Sequence, residues 1–217
     1  MATNQMNNIF SQIQTFASES GVLLVGAIPP LEALEAAANA DDKLAIAQFS
    51  APSRRAERLA WRIMLREWAR CHTTWEGKAL EVNYTSQGAP EIKNFPYKYI
   101  AVSHCRDRVA VALAQKPCSV DIERCDRNFH AIASRYLAAE ELALAESEPT
   151  LGYAAIWSAK ECLYKLQGTS GLELKHDLRI EKVDFAQGTI SGRVLQHRSI
   201  SLQCSVLDQE YIVVYHI

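Results

Sequence analysis

Two acids separated by one residue, Asp121 and Glu123, stand in the run Ser119-Val120-Asp121-Ile122-Glu123, which reads as a short strand over 118–123 introduced by Pro117. Residues two apart on a strand point to one face, so the two carboxylates share a face while Ile122 points to the core. Carboxylates converging on one spot repel unless a cation lies between them, and hard oxygen ligands with room for water suit Mg2+ or Mn2+ better than zinc. Alone, such a pair is more often a solvated strand end than a metal site. A second group is helical: Trp157, Glu161 and Lys165 recur every four residues in Trp157-Ser158-Ala159-Lys160-Glu161-Cys162-Leu163-Tyr164-Lys165. This lines up an aromatic ring, a carboxylate and an ammonium on one stripe. An ordinary surface ion pair has the same spacing. Third, His104 in Ser103-His104-Cys105 sits at a strand end beside a turn, where it can bond a phosphate or cap the turn.

These residues need elements to hold them. Val22 to Ile28 reads as a strand, stopped by Pro29-Pro30 and followed by a short helix over 31–39. A long helix runs from Ser50 to about His72, with Leu59, Ile63, Met64 and Trp68 as its apolar stripe. Its Arg54, Arg58, Arg62, Arg66 and Arg70 recur every four residues and read, one by one, as a solvated face. Strands follow over 79–84, 99–103 and 108–114, the last two as a hairpin, with the turn Ser86-Gln87-Gly88-Ala89-Pro90 between the first and second. Helical segments at 129–137 and 139–145 precede a strong helix from about Leu151 to Gln167, opened by Pro149-Thr150 and ended by Gly168. From Leu178 onward, alternating residues predict an antiparallel meander.

The order strand, long helix, hairpin thus occurs twice. The expected class is α+β, two lobes with a seam near 115–117: an N-terminal lobe over 1–115 and a C-terminal lobe over 116–217. Composition agrees, with 217 residues, 48% hydrophobic and 22% charged. A net charge of -2 supplies no global field toward nucleic acid or an anionic membrane, so any anionic ligand needs a local basic cluster. The first 42 residues hold no Lys or Arg, no apolar run reaches the ~20 residues of a membrane span, and six cysteines show no C-x-x-C pair. A cytoplasmic protein with reduced thiols is expected.

Taken together in this order and spacing, Ser103-His104-Cys105, Ser119 to Glu123 and Trp157 to Lys165 resemble the signature of the 4′-phosphopantetheinyl transferases, in particular the two-lobed, surfactin-synthetase-activating type. Arg54-Arg55-Ala56-Glu57-Arg58-Leu59-Ala60-Trp61-Arg62 is similar to that family's basic helix, and Gly88-Ala89-Pro90 to its Gly-Lys/Arg-Pro turn. The resemblance runs from about Lys43 to Ile180. It implies two similar lobes related by a pseudo-two-fold, each a small antiparallel sheet on a long helix, with the active site in the cleft between them. It further implies transfer of the phosphopantetheine arm of coenzyme A to a serine of an apo acyl carrier protein or peptidyl carrier domain, by a monomer.

On that resemblance Asp121, Glu123 and Glu161 hold Mg2+, with Mn2+ an alternative. Glu161, directly or through water, is the base, and Lys165 meets the pyrophosphate. Ser103 and His104 take a coenzyme A phosphate, with Arg54, Arg55 and Arg62 as further candidates and Gly88 and Pro90 in the coenzyme turn. Lys160 faces either the pyrophosphate or the carrier, and the segment 126–145 docks the carrier. Two positions depart from the pattern: Ser119 replaces a glycine, and Ala89 replaces the basic residue of the turn. A different Mg2+-dependent phosphotransferase, or a silent coenzyme A or carrier-binding module, would use the same residues.

Overall fold

The computed structural model describes residues 9–72, 80–86 and 88–217. Strand β2 (Gly21–Ala27) is buried from Gly21 to Gly26 because both of its faces are covered. Val22 and Leu24 pack beneath the long helix α3 (Pro52–His72), whereas Leu23 and Val25 face a second sheet. A continuous apolar run of this length is what a doubly covered strand requires. β2 lies between β1 (Ile13–Ala17) and β6 (Arg108–Ala114), and β6 pairs in turn with β5 (Tyr99–Cys105), giving an antiparallel sheet of order β1-β2-β6-β5. β5 and β6 form the expected hairpin, which sets His104 opposite Val109.

The second sheet is also antiparallel, of order β7-β11-β10-β9-β8. It contains β7 (Ser119–Arg124) and the expected meander β8 (Leu178–Asp184), β9 (Thr189–Val194), β10 (Ile200–Leu207) and β11 (Tyr211–His216). Helix α6 (Gly152–Gln167) covers its outer face through Ile156, Ala159 and Leu163. Between the sheets, Leu23, Val25, Ala101, Ala110 and Ala112 meet Val120, Ile122, Tyr211 and Val213 in a third buried cluster. The layers run helix, sheet, sheet, helix.

The connectivity of the two lobes matches. Each begins with a strand (β2 or β7), passes through helices and returns as two hairpins, and its last strand (β6 or β11) pairs with its first. In the N-terminal lobe the first of these hairpins, β3 (Glu81–Tyr84) with β4 (Pro90–Lys93), is a separate ribbon. Ala79 and Gln87, which the sequence assigned to a strand and a turn, lie outside the described residues.

Two ends of α6 show why it sits where it does. A Cβ on Gly152 would lie 2.3 Å from the Ala145 carbonyl oxygen of α5 (Ala139–Glu146), so that corner closes only on glycine. Gly168, at φ 64°, ends the helix in the left-handed region. The segment expected as a helix over 129–137 is instead a 3-10 turn at 130–132 followed by the single-turn helix α4 (Ala133–Tyr136).

The arginine row of α3 is only partly a solvated face: Arg54 and Arg70 are exposed, whereas Arg62 is buried and Arg58 and Arg66 are half-buried. α1 (Leu31–Ala37) and α2 (Ala40–Ile46), a helix the sequence analysis did not name, bring acids to it. Asp42 closes a capping box with Asn39 and also accepts from Arg62 Nε at 2.7 Å and from Arg66 at 2.5 Å, with its side chain fully buried. No described helix is long and apolar enough to cross a membrane. The cysteines are free thiols, with Cys118, Cys162 and Cys204 buried and Cys71 exposed. Because removing one partner of a buried ion group strands the others, Asp42→Ala is expected to cost about 3 kcal/mol, read as a lowered urea midpoint at unchanged m-value.

Candidate active site

β5, β7 and α6 converge on Asp121. Its Oδ1 accepts from the Ser103 hydroxyl of β5 at 3.0 Å and from Lys165 Nζ of α6 at 2.7 Å. Ser103 Oγ also accepts from the Ile122 amide at 3.3 Å, which pins β5 to β7 at this point. Asp121 is buried, and its second oxygen, Oδ2, has no hydrogen-bond partner. A buried carboxylate oxygen left unmatched is costly, and it is the atom a cation would take up.

Glu123 is also held through one oxygen. Its Oε1 accepts from Trp157 Nε1 at 3.0 Å and from Arg127 at 2.8 Å. The indole is itself fixed by Tyr136, edge-on at 5.2 Å, and by Phe129 at 5.7 Å, while the Arg127 guanidinium lies 5.2 Å over the Trp157 ring. Burial, then the nearby Asp121 charge, raises the Glu123 pKa against the pull of Arg127. Glu161 responds in the same way, raised first by burial and next by Asp121, with Lys165 and Arg127 opposing. Burial alone would lower the Lys165 pKa, but Asp121 and the other negative groups outweigh it, so the ammonium stays charged.

Asp121, with its unmatched oxygen, therefore lies near enough to Glu123 and Glu161 for its charge to raise both their pKa values, and Lys165 and Arg127 only partly answer the three acids. That donor set, all hard oxygens, fits a divalent cation of the Mg2+ class. Among the described residues no three acids, histidines or cysteines already form a metal cage. Glu123 is turned onto Trp157 and Arg127, and one Asp121 oxygen is turned onto Lys165.

A groove follows β5 away from these acids. A cavity of about 540 Å³ is lined by Ala89, Ile100, Val102, Cys118, Tyr164 and Lys165, among others. Through Gly88, Pro90 and Val102 it adjoins a second cavity of about 230 Å³, walled by Arg54, Glu57, Arg58, Trp61 and His104. His104 Nε2 lies 3.4 Å from Glu57. Burial lowers the His104 pKa, with Glu57 opposing and Arg54 adding to the shift.

Of the expected residues, Lys165, Gly88, Pro90, Arg54 and His104 line the two cavities, Asp121 lies against Lys165, and Glu123 lines a further hollow with His104 and Arg127. Four expected residues are not used as the sequence suggested. Ser103 is turned to Asp121, making it a support for the acid. Arg55 pairs with Glu35 and Arg62 with Asp42, and neither lines the two cavities. Lys160 faces neither pyrophosphate nor carrier. Its fully buried ammonium donates to Glu141 at 2.7 Å and to the carbonyls of Tyr136, Leu174 and Leu178. Those acceptors lie on α4, α5, the following loop and β8, so Lys160 is a knot that seats α6. Arg58 and Arg127 are the groove cations that the sequence reading passed over. Arg127, four residues after Glu123, was the one with a visible signal.

Residues 117–215 match the family model of the 4′-phosphopantetheinyl transferase superfamily (ACPS). The site-bearing stretch is thus similar to a superfamily whose members transfer phosphopantetheine from coenzyme A to carrier proteins. The matched stretch holds Asp121, Glu123, Trp157, Glu161 and Lys165, while Arg58 and His104 precede it. No curated protein matches the chain.

The raised Glu161 pKa carries a sign. Above that pKa the buried carboxylate is ionised at a cost to the fold, and the cost disappears as the folded state takes up the proton. Glu161→Gln is expected to raise Tm in chelator at about pH 8, with the gain shrinking as pH is lowered toward the ordinary value of 4.5. Thermal denaturation across that range checks it.

Proposed function

We propose that this chain transfers the 4′-phosphopantetheine arm of coenzyme A to a serine of an apo acyl carrier protein or peptidyl carrier domain. The serine oxygen bonds to the phosphorus bearing the arm, the pyrophosphate P–O bond breaks, and adenosine 3′,5′-bisphosphate leaves. The observation that carries this reading is the unpartnered, buried Asp121 Oδ2, next to Glu123 and Glu161, whose carboxylate bonds Lys165 in the wall of a cavity of about 540 Å³ that adjoins one of about 230 Å³.

Asp121, Glu123 and Glu161 would hold Mg2+, or Mn2+, which when bound neutralises charge on the pyrophosphate oxygens. The protein's own groups supply the rest. Lys165, kept protonated by Asp121, presents charge where the pyrophosphate oxygens lie. Glu161, with its pKa raised by burial, is suited to accept the serine proton, directly or through water. Ser103 and Trp157 hold Asp121 and Glu123 in place, and Tyr164, Ile100 and Val102 offer the arm an apolar wall.

The carrier is read as docking on residues 126–145, where Arg127, Arg135 and Leu142 are exposed beside the acids. These supply basic and apolar contacts for an acidic helical partner. The division at 115/116 falls between β6 and β7, and residues from both sides line the larger cavity, so the groove is read as lying along the seam of two lobes in one chain that needs no second copy to complete it.

Intact mass spectrometry of an apo acyl carrier protein and an apo peptidyl carrier domain, incubated with this protein, coenzyme A and Mg2+, tests the reading. One added phosphopantetheine, lost in Glu161→Gln, is the expected result. No addition to either carrier while coenzyme A still binds would favour a silent binding module. Arg135→Glu is expected to raise the carrier KM severalfold with the coenzyme A KM unchanged, checked by steady-state kinetics.

A further inference from the structure

Arg127 closes an ion pair with Glu123 at 2.8 Å, from the turn that follows β7. It donates to Oε1, the same carboxylate oxygen that takes the Trp157 indole. Glu123 is the only carboxylate that Arg127 bonds among the described residues. The acid beside it in sequence, Asp126, is taken by Arg124, which forks onto it at 2.9 and 2.7 Å. The Arg127 side chain is 47% exposed and that of Glu123 15%, so the pair stands at the edge of the acid cluster.

The guanidinium has a second support. Its carbon lies 4.7 Å from the Phe129 ring centre and 5.2 Å from that of Trp157. Arg58, without a carboxylate partner among the described residues, is steadied in the same way, 4.4 Å from the ring centre of Tyr84 and 5.3 Å from that of Phe49. Rings at such distances attract a guanidinium without using its in-plane N–H donors. Arg127 can therefore release Glu123 and stay on its rings. It also borders a hollow of about 440 Å³, with His104, Cys105 and Arg106, that gives the released fork room to turn.

The other donors around the acids are fixed by comparison. The Trp157 indole is neutral, and its ring is held by Tyr136 and Phe129. Lys165 is tied to the Val120 carbonyl at 3.0 Å as well as to Asp121. A cation drawn to the three acids thus meets on Glu123 a like charge that repels it, and Arg127 is the one with somewhere else to go.

We infer that Arg127 is an exchangeable counter-ion for Glu123, in place while the acids hold no metal and displaced when a divalent cation binds, so that it lowers the affinity of the acids for that cation. This rests on the proposed function for the reading of Asp121, Glu123 and Glu161 as a cation seat, and it deepens that reading by naming the residue that sets how tightly the seat is held.

Calorimetry with Mg2+ alone tests the exchange. The chelator-stripped parent, Arg127→Gln and Arg106→Gln are titrated in about 0.15 M salt, where charges more than about 8 Å apart are largely screened. Arg106→Gln removes an exposed charge from the lining of the same hollow and leaves the bonds of Glu123 alone. Arg127→Gln is expected to bind Mg2+ about tenfold more tightly than the parent, and Arg106→Gln within about twofold of it. At one Mg2+ concentration, the gain in Tm over chelator should also be larger in Arg127→Gln than in the parent. A merely structural role for Arg127 would lower both melting temperatures alike. Unchanged or weaker Mg2+ binding in Arg127→Gln, equal tightening in Arg106→Gln, or no binding by parent and variants overturns the inference. Arm transfer in Mg2+ with an affinity that Arg127→Gln does not move would sink this inference and leave the proposed function standing. Tighter binding in Arg127→Gln without transfer to any carrier would do the reverse.

Discussion

The hydrogen bond from Ser103 Oγ to Asp121 Oδ1 is the point on which the rest of the site depends. It crosses from the N-terminal sheet to the C-terminal one, and the same hydroxyl takes the Ile122 amide. With Lys165 on the same carboxylate oxygen, three elements from two lobes fix one side chain's rotamer. What remains is one carboxylate oxygen, buried and unsatisfied, a defect in the folding sense that is useful only if a cation arrives. The raised pKa values of Glu123 and Glu161 express the same strain, which the fold offsets with its three apolar clusters.

Much of this was legible in the sequence because the signals are local. Pro117 ahead of the β7 strand, Pro149 and Gly168 around α6, and the β5–β6 hairpin are marked by residues that act within a turn of themselves. The Asp121, Glu123 and Glu161 group was legible as a pattern, since strand and helix periods place those side chains. What was not legible depends on partners far along the chain. Lys160 sits in the same motif as Glu161, yet it turns inward because Glu141, 19 residues earlier, is buried where its ammonium can reach it. Arg62 and Arg66 leave the solvent because α2 carries Asp42 to them, across 20 and 24 residues. Arg58 shares their four-residue spacing on α3, and the placement of Phe49 and Tyr84 is what separates it from them.

The two seats of charge are built on opposite plans. Around Asp42 and around Lys160, a buried ion is saturated with partners, which suits a rigid joint. Around Asp121 and Arg58, a charge is oriented but left short of partners, which suits a binding surface. The saturated joints hold α3, which carries Arg58, and α6, which carries Glu161 and Lys165 against Asp121 of β7, so rigidity in the joints keeps the groups short of partners in position.

The alanines of the inner layer have a different consequence. Ala101, Ala110, Ala112 and Ala114 offer the opposing sheet almost nothing but a flat backbone, and Val120, Ile122 and Val213 fill what space there is. The two lobes are alike in connectivity, but they have no separate interiors along this plane. Neither could be exchanged, enlarged or cut away without exposing the other's sheet, so a chain assembled from two similar halves behaves in thermodynamic terms as one indivisible body.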